Sequence, residues 1–292
     1  MEHAQGPTPN TYRTIEADEV LTILERHERW LDGDPDGECA NLSNTDLANF
    51  DLIDARLQCA TLSGANLTAA KLIGANLTGA RLDSARMDDA NLQFANCAGA
   101  VLNNATLLRA DLDGAHLRQA LMIRVDLTNA HLNNTDLSDA DLTDANLEGA
   151  ILRSANLESA TLSNAKLIRV NGSFASMEEA CLEGVRLDGA TLKEAILDSV
   201  ILDDSTLTEA DMTGASLTTA ELCNARLDKV QLKNARLDGA NLKDASLAGA
   251  EIGGASFRKA KLTNTDFTGA RNINKARDLD LRKLETDDLS PS

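Results

Sequence analysis

The sequence is written in units of five residues over most of its length. Between positions 40 and 269, a run of 230 residues, a large apolar residue recurs at every fifth position, so that 46 units follow one another without insertion or deletion. Leu fills 37 of these centres, and Ala fills 36 of the 46 positions two residues earlier. The centres that are not Leu are Met87, Cys97, Met122, Gly172, Met177, Met212, Ile252, Phe257 and Phe267.

A period of five fits neither regular element. On an α-helix, successive centres would step by about 140° around the axis and form no apolar stripe. On a flat strand, an odd period would place them on opposite faces. The spacing therefore predicts that each unit is a short extended stretch, with Ala and Leu on one side, followed by a bend. The polar pair after each centre supplies turn residues such as Asn, Asp, Ser and Gly.

The units resemble the pentapeptide-repeat family. ANLTG at 75–79 and ADLTD at 140–144 have the A-(D/N)-L-x-x form typical of that family. The resemblance implies an all-β fold, a right-handed quadrilateral parallel β-helix with four units, or 20 residues, in each coil. The 46 units then make a rod of roughly 55 Å at about 4.8 Å per coil. Leu and Ala are expected to fill its interior.

The segments outside the repeats are predicted to cover the ends. We divide the chain into a disordered N-terminus at 1–14, a capping helix and linker at 15–39, the β-helix at 40–269, and a C-terminal cap and tail at 270–292. The 3–4 spacing of Val20, Ile23, His27 and Trp30 predicts an amphipathic helix over 17–31 across the N-terminal end. On its apolar face, His27 is interpreted as a hydrogen-bonded cap residue rather than a catalytic one. The C-terminal end could instead form a homodimer interface, as in several gyrase-targeting relatives.

Nothing in the sequence predicts catalysis, and we expect no enzyme, no cofactor and no metal site. Phosphate loops, dinucleotide fingerprints, nucleophile elbows and metal-spaced Cys/His sets are missing from the sequence. His116 and His131 fall on different faces, so they are not expected to converge. Cys39 and Cys59 lie one coil apart and are expected to be reduced thiols. The five cysteines lack C-x-x-C spacing, and the N-terminus lacks a signal-peptide pattern, so we expect a cytoplasmic protein.

Charge placement is the one functional signal. A net charge of −18 argues against nucleic acid or membrane and favours a protein partner with a basic surface. Residues 20 positions apart stack at about 4.8 Å, where two like charges cost about 0.9 kcal/mol even in water. The repeats mostly avoid such pairs. However, Glu158, Glu178 and Asp198 stack consecutively on one face, and Glu183 lies under Asp203 on the next.

These stacks belong to a larger acidic region, which we call the acidic side. Two adjacent faces of four coils, at 135–144, 155–164, 175–184 and 195–204, contain eleven acids and no Lys or Arg, whereas the other two faces of the same coils have no net charge. The eleven acids are Asp136, Asp139, Asp141, Asp144, Glu158, Glu178, Glu179, Glu183, Asp198, Asp203 and Asp204.

Three interpretations of the acidic side stay open: a solvated face, a surface that binds a basic partner, or a Ca²⁺ site. The partner surface is suggested because stacked carboxylates destabilise a fold unless they are used. A separate apolar candidate surface consists of Val101, Leu108, Leu121 and Ile123, which are all expected to point outward.

The sequence therefore favours a non-enzymatic protein-interaction scaffold with an acidic, rod-shaped surface. The alternative is a DNA-mimicking modulator of DNA gyrase, a type II topoisomerase, a role implied by resemblance to the quinolone-resistance proteins. Acids confined to one side, centres that are Leu rather than Phe, and the lack of loops within the repeats weaken that alternative. Within the repeats, Gly172 leaves a centre unfilled, and Phe174 or Met177 is expected to turn inward and fill it.

Overall fold

The computed structural model describes residues 12–280 as a solenoid in which each unit pairs with the unit one coil away. Parallel bridges join the residue before each centre to the residue 20 positions on, as from Asn41 to Thr61. One coil is therefore four units, and the four-sided β-helix is confirmed. We number its faces 1 to 4 from the centres of their first units: Leu42, Leu47, Leu52 and Leu57.

Backbone hydrogen bonds repeat identically along each face. In the first unit, the Leu42 N–H donates to the Thr61 carbonyl at 2.7 Å, and the Thr61 N–H donates to the Ala40 carbonyl at 2.9 Å. A further bond from the Asn44 N–H to the Ser63 carbonyl, at 3.0 Å, joins the turns of neighbouring coils. Each face is thus a ladder of very short extended segments, and no longer strand forms.

The bend in each unit is a four-residue turn. The Thr45 N–H donates to the Leu42 carbonyl at 3.3 Å, and the third turn residue, Asn44, has φ of 52°. A positive φ occurs at this position in all 46 units, of which 13 have Gly and 33 another residue. Type II turns require this conformation, which Gly and Asn adopt at least cost. Phe94 and Phe174 are the bulkiest residues placed there.

The interior is built from the centres and the preceding Ala positions. All 46 centres are buried, and only Phe50 and Ala55 among the preceding positions are partly exposed. Where a hydroxyl replaces Ala, it donates to a backbone carbonyl: Thr135 bonds to Leu112 at 3.0 Å. The apolar lumen predicted from the repeat is therefore confirmed, and its few polar atoms are hydrogen-bonded.

Gly172 is accommodated without help from Phe174. A Cβ at residue 172 would lie 2.9 Å from Cδ2 of Leu192 and 3.5 Å from Cε of Met177, so these two side chains take up the space. The expectation for Met177 is confirmed. Phe174, the alternative, does not turn inward: its ring is 47% exposed, and the Arg153 guanidinium lies 5.6 Å from the ring centroid.

The helix predicted at the N-terminal end is confirmed as α1, Ala17–Leu31. Val20 and His27 are fully buried, and Ile23 and Leu24 pack against the first coil. The Ala40 N–H donates to Nδ1 of His27 at 3.1 Å, as expected for a hydrogen-bonded cap residue.

The linker after α1 folds back tightly onto the helix. A Cβ at Gly37 would lie 2.2 Å from the backbone N of Trp30, so only glycine fits there. Two ion pairs hold this end together, one between Arg29 and Asp34 at 2.7 Å and one between Arg56 and Asp32 at 2.9 Å. α1 is thereby fixed across the first coil.

Residues next to both ends continue the ladders. Arg13, which lies in the segment predicted to be disordered (1–14), forms a parallel bridge with Thr45. At the other end, a 3-10 helix spans Ile273–Lys275, and Arg277 pairs with Ser256. The segments 1–11 and 281–292 lie outside the described residues, and the homodimer stays a prediction. Within 12–280, no helix has the length and apolar character needed to span a membrane.

Candidate functional site

The ladders place the acidic side where the sequence predicted it. On face 4 the bridges run from His116 through Asp136, and on face 1 from Leu121 through Asp141. Because both ladders continue in steps of 20 residues, all eleven predicted acids lie on two adjacent faces of four consecutive coils. The structure then divides these acids by what their carboxylates contact.

Four of the eleven acids serve the backbone of the β-helix. Asp136 and Asp141 each accept the N–H two residues on, from Ser138 at 3.1 Å and from Thr143 at 3.0 Å. Asp198 and Asp203 reach the next coil instead. There, the first accepts the Thr218 N–H at 2.8 Å and the second accepts the Cys223 N–H at 2.6 Å. All four side chains are half-buried.

The coil-to-coil contact corrects part of the sequence argument. Stacked carboxylates were expected to need an outside partner, but those of Asp198 and Asp203 bind backbone N–H groups of their own fold. The same contact recurs outside the acidic side, where Asp113 accepts the Asn133 N–H at 2.7 Å. An Asp directly after a centre is the sequence signal for it, since the shorter side chain stays close to the backbone above.

Two further acids are paired with side chains from neighbouring coils. Asp139 forms an ion pair with Arg118 at 3.2 Å, and Asp204 accepts a hydrogen bond from the Asn224 side chain at 3.1 Å. Arg118 lies one coil earlier than the units counted in the sequence, so the acidic side is less isolated from positive charge than the count suggested.

The five remaining acids are exposed, and their carboxylates make no hydrogen bond or ion pair within residues 12–280. We call them the free carboxylates; they are Asp144, Glu158, Glu178, Glu179 and Glu183. Four of them are glutamates, two of which, Glu158 and Glu178, stack directly on face 4. Their charge therefore serves no contact in the described fold.

Two exposed isoleucines lie among these acids. Ile196 on face 4 is 43% exposed and Ile201 on face 1 is 40% exposed. They extend the ladders directly above Ser176 and Cys181, so they border the coil that contains Glu178 and Glu183. Sequence analysis missed this pair, although an apolar residue at the bridge position before a centre is its signal.

Part of the acidic side is concave. A depression of about 260 Å³ on face 4 includes the free carboxylate of Glu158. Its lining is polar and consists of Arg118, Asp136, Ser138, Asp139, Asn156, Glu158 and Ser159.

The apolar candidate surface is only partly exposed. Leu121 is 43% exposed, whereas Val101, Leu108 and Ile123 are half-buried. Val101 and Leu121 pair on face 1, and Asp141 follows them in the same ladder. The cluster therefore adjoins the lower edge of the acidic side rather than forming a separate surface.

Within residues 12–280, two groups of three side chains each bring their possible metal-ligand atoms within 4.8 Å of one another. The first group is Asp111, Asp113 and His131, and the second is Asp203, Glu221 and Cys223. His131 lies apart from His116, which confirms the prediction that the two would not converge. The sequence did not predict that His131 lies close to Asp111 and Asp113. Three ligand atoms fall short of the six to eight oxygens that Ca²⁺ takes. The described contacts do not favour the Ca²⁺ interpretation of the acidic side.

Comparisons with known proteins agree with this architecture. The family described as pentapeptide repeats matches in eight copies, at 38–72, 60–93, 85–123, 120–158, 155–193, 186–224, 201–239 and 240–271. No curated protein sequence matches the chain.

Among solved structures, the chain is similar to HetL from the cyanobacterium Nostoc sp. strain PCC 7120, described as a pentapeptide repeat protein involved in heterocyst differentiation regulation. The two are 30% identical, the match covers 84% of this chain and 98% of HetL, and the TM-score is 0.55. Rfr23 from the cyanobacterium Cyanothece 51142 is 27% identical, over 37% of this chain and 63% of Rfr23, with a TM-score of 0.24.

The plasmid-mediated fluoroquinolone resistance protein QnrB1 is 13% identical over 70% of this chain and 92% of its own, with a TM-score of 0.37.

The family matches extend over residues 38–271, which is most of the sequence. Since the repeat, the 20-residue coil and these matches agree, the chain belongs to the pentapeptide-repeat family of right-handed quadrilateral β-helices.

Proposed function

We propose that the protein is a non-enzymatic protein-interaction scaffold whose acidic side binds a partner with a basic surface. The observation that carries this proposal is the set of five exposed free carboxylates. The fold gains no contact from them, and the stacked pair Glu158 and Glu178 costs up to about 0.9 kcal/mol at a spacing of about 4.8 Å in water. Lys and Arg side chains of a basic partner would offset this repulsion with attractive ion pairs to the same carboxylates.

The chemistry of the surface specifies the kind of partner. Lys and Arg side chains would face the free carboxylates, and the depression beside Glu158 offers a concave seat for one of them. Ile196 and Ile201 add exposed apolar area next to the charges, so an aliphatic contact would accompany the ion pairs. Charges at the edge of such an interface mainly accelerate association.

The similarity to HetL supports a regulatory rather than a chemical role. HetL is described as involved in heterocyst differentiation regulation, and the chain covers 98% of it at 30% identity. We extend to this chain only the general role of a regulatory binding protein. The convex coils offer few of the enclosed clefts in which enzymes bind substrates.

Modulation of DNA gyrase is the second candidate. The rod shape and the net charge of −18 favour it, since both are features of a duplex mimic. Against it stands the arrangement of the free carboxylates, which occupy two faces of the rod's middle, whereas duplex DNA carries charge evenly along its length. We therefore rank it below the scaffold and test it in the same experiment.

Two charge-matched variants test the proposal. The first, E158Q/E178Q/E179Q/E183Q, neutralises four free carboxylates. The control, D18N/E25Q/D54N/E194Q, neutralises four exposed acids elsewhere that likewise have no side-chain partner within residues 12–280. Both are used with the wild type to capture partners from cell extract at 50 mM and 500 mM NaCl, with quantitative mass spectrometry.

We expect basic partners to be lost with the first variant and retained by the control, and to dissociate at high salt. Capture of the same partners in equal amounts by all three proteins would contradict the proposal. A supercoiling assay with purified gyrase, with and without a quinolone, runs alongside. Inhibition or protection by the wild type that the first variant lacks would move the gyrase candidate to first place.

A further inference from the structure

One buried imidazole lies between α1 and the first coil. His27 is fully buried, whereas His116 and His131 are exposed. Its Nδ1 accepts the Ala40 N–H at 3.1 Å, and its ring stacks on that of Trp30 with centroids 5.5 Å apart and planes 15° from parallel. This side chain therefore joins α1, the linker end and the start of the repeats.

The hydrogen bond fixes the protonation state of the ring. Because Nδ1 accepts a hydrogen bond, it carries no proton, and the single ring proton of His27 lies on Nε2. Nε2 is buried, and the ring lies close enough to the Gln58 backbone for that group to affect its pKa. A second proton on Nδ1 would turn the acceptor into a donor facing the Ala40 N–H. The contact and the charged ring exclude each other.

The groups around the ring oppose its protonation on balance. Burial is the largest cause that lowers the pKa of His27 from 6.5, and the Arg56 guanidinium on the first coil adds to it. The Gln58 backbone and the Glu28 carboxylate act in the opposite direction more weakly. A histidine freed into water titrates near 6.5. As pH falls below that value, the undocked helix takes up a proton that the docked helix binds less readily.

We propose that His27 makes the docking of α1 acid-sensitive, so that protonation releases the helix from the first coil while the remaining β-helix stays folded. The ladders below depend on backbone hydrogen bonds and apolar centres, which do not titrate. Release would expose the Ala40 N–H and the edge of the first coil. By linkage, the docking constant falls up to tenfold for each pH unit below about 6.5.

The structure supplies its own reporter. Trp30 is the only tryptophan of the chain and stacks on His27 within α1, so its emission responds to protonation of that ring, whereas hydrogen exchange over 17–31 follows docking. We would record this emission and amide hydrogen exchange over 17–31 between pH 7.5 and 5.0 at constant ionic strength. The proteins are the full-length wild type, His27→Asn, whose amide oxygen can accept the Ala40 N–H without titrating, and the control His116→Asn.

We expect protection of α1, corrected for intrinsic exchange, to fall up to tenfold per pH unit below 6.5 in the wild type and in His116→Asn. It should stay constant in His27→Asn, and protection of the repeats should not change in any of the three. Imidazole NMR of the wild type gives a reading that does not depend on any variant folding. Titration of docked His27 at or above 6.5, or an equal loss of protection in His27→Asn that has α1 docked at pH 7.5, would overturn the proposal.

Discussion

The two acids Glu178 and Asp198 stack one coil apart on face 4, yet we expect their removal to change stability in opposite directions. Asp198 accepts the Thr218 N–H at 2.8 Å and also a hydrogen bond from the Ser216 hydroxyl. Glu178 has no side-chain partner within residues 12–280 and stands directly above Glu158. The first carboxylate stabilises the coil above it, and the second repels its neighbour.

The magnitudes follow from these contacts. Asp198→Ala removes a charged acceptor from a backbone N–H, which should lower the free energy of unfolding by about 1.5–3 kcal/mol. Asp198→Asn keeps an acceptor oxygen but loses its charge, so it should lower the free energy of unfolding by about half as much. Glu178→Gln relieves repulsion from Glu158 and Asp198 of at most about 0.9 kcal/mol each, so it should raise stability slightly at low salt and not at high salt.

Urea unfolding followed by far-UV circular dichroism, at 20 mM and 500 mM NaCl, measures all three variants. The midpoint should fall for Asp198→Ala at both salt concentrations, and the small rise for Glu178→Gln should disappear at the higher one. If Asp198→Ala and Asp198→Asn behaved alike, the hydrogen bond to the next coil would contribute nothing. A salt-independent effect of Glu178→Gln would refute the repulsion argument.

Three further outcomes follow from the coil geometry. Leu in place of Gly172 should overfill the lumen and destabilise by about 1–3 kcal/mol in the same urea assay, whereas no change would mean the space is open. Asn134→Val places a β-branched residue at φ of 55° and should destabilise by about 1–2 kcal/mol; Thr161→Val, at an extended position, should not. Burial raises the pKa of Cys97 to about 12. At pH 8 a thiol reagent should therefore label exposed Cys59 and react with Cys97 only after unfolding, and labelling of Cys97 in the folded protein would contradict its burial.

The sequence was sufficient to predict the architecture, because every unit repeats one local rule. A fixed period of five without insertions places each centre in the lumen, as found from Leu42 to Phe267. The amphipathic spacing that ends at Leu31 predicted α1 within its observed bounds. In both cases the signal is the burial of apolar residues at a regular spacing, which depends little on the details of side-chain conformation.

The candidate site was predicted less completely, because its properties depend on how far each side chain extends and on which groups its carboxylate contacts. Counting charges could not separate Asp198, whose short side chain bonds the coil above, from Glu178, whose carboxylate stays in solvent. Nor could it find the ion pair between Arg118 and Asp139, since the two residues are 21 rather than 20 positions apart. Ile196 and Ile201 carry no charge, so a count of charged residues does not mark them.

Site-specific photocrosslinking tests most directly whether the acidic side is the binding surface. Ser159 on face 4 and Ser154 on face 3 are both exposed, and both have φ of 56°, so a benzoylphenylalanine at either position sits in the same backbone environment. Ser159 follows the free carboxylate of Glu158, and Ser154 lies on the face without net acidic charge. After irradiation in cell extract, the account predicts a partner crosslinked from position 159 and not from 154. Equal crosslinking from both positions, or crosslinking from 154 alone, would contradict it.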